Sequence, residues 1–427
     1  MILIPKKITL LGTLFFLLNL VIVVYLLRFG PRIGGDTPSY IGGEAFRPPV
    51  YVILLSAYQW LLGDNFYPLI IFQITLGLCG VYTLARTFTE ILSLDRLISK
   101  LVFLILFIPY FFGAYKFGNS IQTEAITYPL YLMGFSFILK GLYYRSIKSF
   151  YIFLGILYVL VLTRTQLLFV YPAFFLIIVY CYFLSNFSIK EKVTVTLLFI
   201  LVVVGANISE RTYNLFKAGH FKTAPHAGIQ LAVGPLYMST EKDNELFDDP
   251  IEREIFVKAR KKLEDNHSLY ESTLIDETMV SHYAWHHGGC YVFTTHKALE
   301  PSFEEIGISD WFEIDRIAKK IAIKLILEHP VENLKLFFHK VKFQLGGYYF
   351  FLLFSLLFIY SGYIYIRKQD ALSLIIFLSL LFTFSNYFVV AAIEVFLRRY
   401  TSYTETILFS ALTILLYLLL PKFKKSN

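Results

Sequence analysis

The stretch ITLLGTLFFLLNLVIVVYLL (Ile8–Leu27) carries no charge and runs directly into RFGPRIGGDTPSY (Arg28–Tyr40). An α-helix needs about 20 apolar residues to cross the hydrocarbon of a bilayer, so the first stretch reads as a membrane span. The carboxylate of Asp36 then falls flush with the membrane surface, just ahead of FRPPVY (Phe46–Tyr51). An ionisable residue placed there marks a candidate site. Set between Gly-Gly and Thr-Pro, Asp36 has an equal alternative as a turn residue capping a short helix.

The rest of the chain extends this reading. Of 427 residues, 56% are hydrophobic, 18% aromatic and only 16% charged, well below the roughly 25% charged of soluble domains. Stretches of span length recur at 66–85, 98–115, 124–143, 151–165, 167–184, 193–207, 346–366, 371–395 and 404–420, giving ten helices with the first. PPVYVILLSAYQWLL (48–62) is shorter and opens on two prolines, so it reads as a helix lying in the interface. The fold class is an all-α polytopic membrane protein with an interfacial helix after its first span.

Charge orients the chain. Lys6/Lys7, Arg86/Arg96/Lys100, Lys140/Arg145/Lys148, Lys190/Lys192, Arg367/Lys368 and Lys422/Lys424/Lys425 fall on one side when ten spans alternate. By the positive-inside rule that side is the cytoplasm, with both termini in it and Asp36 outside. The first span, followed by further spans, reads as an anchor and not a cleaved signal. One segment, 208–345, has no apolar span and is the only long polar stretch; it holds all nine histidines and 21 of the 31 acidic residues against 17 of the 39 basic ones. The net charge of +8 therefore belongs to the membrane loops, and a nucleic-acid partner is excluded. The chain divides into an N-terminal transmembrane module (1–207), a small, mostly helical exterior domain (208–345) and C-terminal transmembrane helices (346–427). Within the exterior domain, 250–265 and 312–342 carry helical periodicity, the latter interrupted at Pro330.

The motifs in order are Asp36 with Tyr40, Arg47-Pro48-Pro49 before Tyr51, TEAITYPLYL (Thr123–Leu132), LTRTQLLFVYPAFFL (Leu162–Leu176), EHPVENL (Glu328–Leu334) and RRYTSYTETILF (Arg398–Phe409). Together they resemble the GT-C superfamily of membrane glycosyltransferases, being most similar to the lipid A aminoarabinose transferases and the protein O-mannosyltransferases. The resemblance implies an acidic catalytic residue at Asp36 and a carboxylate opening the fourth span at Glu124. It also implies an Arg-Tyr turn before a late span at Arg398 to Tyr400. The partners it implies are a polyprenyl-phosphate sugar donor and a lipid, glycan or protein acceptor in the cell envelope, with surrounding membrane lipids. Short loops suit a bacterial inner membrane with a periplasmic site.

The chemistry has its own logic. Sugar transfer outside the cell, where no nucleotide sugars exist, needs a carboxylate to activate the acceptor and fixed cations for the departing phosphate. Asp36 suits the first task. Arg47, Lys116, Arg164, Arg398 and Arg399 are candidates for the second, with Tyr40 beside them. Snorkelling to the interface is the plainer alternative for Arg47, Lys116, Arg398 and Arg399, whereas Arg164 is expected to line a cavity or pair with Glu124 or Glu394. Glu124 reads either as a carboxylate favoured by its helix dipole or as a second member of the site. SHYAWHHGGC (Ser281–Cys290) reads as a histidine-bearing loop and not a zinc site. No metal ligands are assigned, and a divalent cation is left open as a cofactor. A glycan polymerase or ligase, leaning on Arg398 and Arg399, is the alternative enzyme. A transporter, expected to show repeats and broken spans, is the third class.

Overall fold

A computed structural model describes residues 10–112, 116–185, 187–269, 293–393 and 398–420. The chain is helical throughout these residues, and their one isolated β-bridge joins Arg32 to Ser120. In order the helices are α1 (Leu10–Phe29), α2 (Thr37–Ile41), α3 (Pro49–Leu62), α4 (Tyr67–Leu92), α5 (Arg96–Phe111), α6 (Glu124–Tyr143), α7 (Ile147–Thr163), α8 (Val170–Leu184) and α9 (Ile189–Ala218). There follow α10 (Ala227–Met238), α11 (Pro250–Asp265), α12 (Glu300–Glu305), α13 (Trp311–Glu328), α14 (Pro330–Gln344), α15 (Tyr348–Lys368), α16 (Ala371–Ile393) and α17 (Arg398–Leu419).

Among the described residues, eight helices are long and apolar enough to cross a membrane, the architecture of a multi-pass membrane protein. Two of the ten expected spans fall short of that length, while α8 reaches it only together with the 3₁₀ turn before it, as one stretch from Thr165 to Leu184. Helix α5 has 16 residues and α7 has 17, or about 25 Å at 1.5 Å per residue. The span expected at 193–207 is part of a 30-residue helix, α9, opened by a Ser188–Glu191 capping box and closed at Gly219. The chain therefore enters the polar segment without a break in its helix, and position 208 falls inside α9. Helix α17 starts at Arg398, so Arg398 and Arg399 lie in its first turn and not in a turn before it.

Burial orders the bundle. Helix α6 is enclosed on most of its faces, whereas α1 buries only Ile22 and Leu26. Close approach is built in where α4 crosses α6: a Cβ on Gly80 would stand 2.7 Å from the backbone of Pro129. The turn after α1 is tied to the segment entering α6. Arg32 N–H donates to Asn119 O at 2.7 Å, Ile121 N–H to Arg32 O at 3.1 Å, and Thr37 Oγ1 to Ile121 O at 2.9 Å. These bonds fix Asp36, at the start of α2, relative to Glu124, at the start of α6.

The polar segment has its own core, in which Ile229, Leu236, Phe256, Leu263, Ile321 and Leu325 are buried together. The 250–265 expectation is met by α11 and the 312–342 expectation by α13 and α14, parted at Pro330. Helix α14 packs back on α16 through Val341, Leu345, Tyr387 and Ala391.

Candidate functional site

Five charged side chains from four separate parts of the chain form one alternating row. Arg47 Nη2 lies 2.9 Å from Asp36 Oδ1, and Arg399 Nη1 lies 2.6 Å from Asp36 Oδ2. Arg399 Nε is 3.6 Å from Glu124 Oε1, which in turn lies 2.9 Å from Arg164 Nη1. The approaches to Glu124 Oε1 lie off the hydrogen-bonding axes, so charge more than bond alignment holds that end together. Side-chain exposure falls from 29% at Asp36 to 2% at Glu124. A ligand therefore meets Asp36 and Arg47 first.

Local structure explains each placement. Asp36 sits at the N-cap of α2, yet its side chain makes no capping hydrogen bond. Its two oxygens go to arginines instead, which removes the cap as the account of this residue. Arg47 is steadied by Ser39 Oγ at 2.8 Å and Tyr40 OH at 3.3 Å, with its guanidinium 4.3 Å from the Tyr40 ring centre. Arg164 is the extended residue between α7 and the 3₁₀ turn Thr165–Phe169. It donates to Thr123 Oγ1 at 2.8 Å and Gln166 Oε1 at 3.0 Å. Arg399 lies in the first turn of α17, where a cation opposes the helix dipole; Asp36 and Glu124 offset that. Glu124 is both things the sequence allowed, the first residue of α6 and a member of the row. Of the two partners considered for Arg164, Glu124 is the one found, while Glu394 lies outside the described residues.

Tyr400 serves two arginines at once. Its ring centre is 4.8 Å from the Arg164 guanidinium and 5.0 Å from that of Arg399, and its hydroxyl accepts from Arg399 Nη2 at 3.2 Å. Its carbonyl accepts from Gln166 Nε2 at 2.6 Å and Asn386 Nδ2 at 2.9 Å. The first turn of α17 is thereby pinned to α16 and to the turn after Arg164.

The polar segment reaches the same place. Phe46 packs against His226, with ring centres 5.6 Å apart, and against Trp311 at 5.0 Å. His226 opens α10, whose next turn is held to α13 by Gly228 N–H donating to Asp315 Oδ1 at 2.6 Å. Burial at this junction, together with the charges of Arg47 and His296, pushes the His226 imidazole down to about 4, against the pull of Asp36. Nothing in the sequence of the polar segment singled out His226 or Trp311.

The electrostatics of Asp36 follow from its neighbours. Burial alone would raise its proton affinity, but the Arg399 and Arg47 charges and their hydrogen bonds hold the carboxyl well below the usual carboxylate range. As arranged here Asp36 is a counter-ion. A general base works best with a pKa near the operating pH.

The remaining candidates separate from the row. Lys116 Nζ donates to Tyr25 OH at 2.7 Å and lies over the Tyr25 and Phe29 rings of α1. Arg398 begins α17, and its side chain lies outside the described residues, as does the whole of Ser281–Cys290. Among the described residues no group of three or more His, Cys, Asp or Glu side chains gathers as a metal site.

No family model, curated protein or solved structure matches this chain.

The row makes a stability prediction. Removing one partner of a buried ion pair leaves the other uncompensated, at about 3–5 kcal/mol. Glu124→Gln should therefore melt well below the wild type in detergent. Adding Arg164→Met should recover part of the loss, because the orphaned charge goes with it. Additive losses in the double variant would mean that the pair is not coupled.

Proposed function

We propose that the protein is an integral-membrane glycosyltransferase that moves a sugar from a polyprenyl-phosphate-linked donor to a cell-envelope lipid, glycan or protein. The observation that carries this reading is the row itself: three guanidiniums and two carboxylates, with one positive charge in surplus. A polyprenyl-phosphate sugar is a phosphodiester with one negative charge, which that surplus complements. The fork of an arginine matches phosphate oxygens bidentately, and the guanidiniums are anchored by Ser39, Tyr40 and Tyr400 before any substrate arrives.

In this reading Asp36 takes the proton of the acceptor hydroxyl or amine. Arg47 and Arg399 stabilise the departing phosphate, whose negative charge grows as the sugar leaves. Tyr40, Glu124 and Arg164 hold those groups in place. The glycan polymerase or ligase reading uses Arg399 but leaves idle the acid after the first span, which here binds that arginine directly at 2.6 Å. We read ten crossings, counting the short helices α5 and α7, with 208–345 on the periplasmic side of an inner membrane and both termini in the cytoplasm.

Transfer from a lipid-linked donor by the purified protein tests the roles. Asp36→Asn should insert and fold while turnover falls about 10²–10⁴-fold, the contribution expected of a general base. Arg47→Ala should lose most activity, and Arg47→Lys should keep a part, since it retains charge without the fork. Near-normal turnover in Asp36→Asn would rule it out as the base and turn attention to Glu124 or to polymerisation. Reporter fusions at residues 145, 260 and 425 check the orientation. An exterior signal at 145 or 425 would put the site on the wrong side of the membrane.

A further inference from the structure

Each oxygen of Asp36 is engaged by a guanidinium, Oδ1 by Arg47 and Oδ2 by Arg399. A carboxylate held in this way has little affinity for a proton, so the arrangement that pairs the charges also idles the base. Each arginine, however, commits only one nitrogen to Asp36. Arg47 is anchored separately by Ser39 and Tyr40, and Arg399 by the Tyr400 hydroxyl and the Glu124 charge. An anion that displaces the carboxylate from Arg47 Nη2 and Arg399 Nη1 leaves those anchors in place.

We infer that the donor phosphate releases Asp36 for catalysis: its oxygens take Arg47 and Arg399 away from the carboxylate, so the base forms only when the donor is bound. This rests on the reading of the row as a phosphate-binding centre. The groups facing Asp36 are Arg47 and Tyr40 from the first outer loop, Arg399 and Tyr400 from α17, Glu124 from α6 across Arg399, and His226 from the exterior domain. Once the two guanidiniums are shared with phosphate, burial and the negative charges of Glu124 and the phosphate all favour proton uptake by Asp36. Reaction then balances. The acceptor O–H or N–H proton passes to Asp36 as the bond from the acceptor to the sugar C1 forms. The C1–O bond to phosphate breaks, and its electron pair leaves with the phosphate oxygen as the lipid phosphomonoester. Asp36 returns its proton to water when the arginines close on it again. An empty site is thereby kept from activating water or a stray hydroxyl.

Binding, measured apart from turnover, tests this. The probe is a polyprenyl methyl phosphate, a phosphodiester whose single charge does not titrate between pH 4 and 7. It is titrated calorimetrically into the full-length protein in detergent, using buffers of different ionisation heat. Wild type should take up a proton as the lipid binds, approaching about one per lipid at the acidic end. Asp36→Asn should bind more than about tenfold tighter, since the competitor for the arginines is gone, and take up none. Equal proton uptake in the two proteins, or weaker binding by Asp36→Asn, would overturn the inference while leaving the phosphate site standing. Failure of the probe to bind either protein would overturn the phosphate site and the inference with it.

Discussion

The two bonds from Asp36 to Arg47 and Arg399 join the loop after α1 to α17, across 363 positions of sequence. Around them one end of the bundle is organised. The Arg32–Ser120 bridge, the Thr37 bond to Ile121, the anchoring of Tyr400 by Gln166 and Asn386, and the Tyr40 platform under Arg47 all hold one or another member of the row. Removing charge from water is unfavourable, and a buried ion pair often contributes no more to stability than apolar residues of the same volume would. Five such charges at one bundle end are not explained by stability alone. The row is rigid at Glu124, where burial is nearly complete, and accessible at Asp36.

The polar segment reaches the row from its own side. Phe46 is gripped by His226 and Trp311, and the following residue is Arg47. Movement of the polar segment relative to the bundle would act on that arginine. Helix α9 supplies a continuous helical connection between the two parts, and α14 packs the end of the polar segment against α16.

Much of this architecture is legible in the sequence because lipid and water impose a strong pattern on a chain. Apolar stretches of span length give α1, α4, α6, α15 and α16 to within a few residues at most of their ends, and α11 is given at both ends by its flanking residues. The pattern fails where length and hydropathy part company. Phe112 is extended, so α5 ends before the apolar run does, and α9 continues past position 207 because Ile208 to Ala218 keep helical spacing while becoming polar. At the site the individual charges Asp36, Arg47, Glu124, Arg164 and Arg399 are legible as costly residues near helix ends. Their pairing is not, since local sequence says nothing of a partner hundreds of positions away. For the same reason the sequence allows Asp36 to be a helix cap, an option that depends on its side chain having nothing better to bind. His226 and Trp311 carry no local signal at all.

We propose that the row from Arg47 to Arg164 binds a lipid-borne phosphate. Electron cryomicroscopy of the protein in nanodiscs with polyprenyl phosphate tests this. Phosphate density is expected within hydrogen-bond reach of both Arg47 and Arg399, with the Asp36 carboxylate no longer bonded to both. Phosphate seated elsewhere on the protein, with the Arg47–Asp36–Arg399 bonds unchanged, would contradict it.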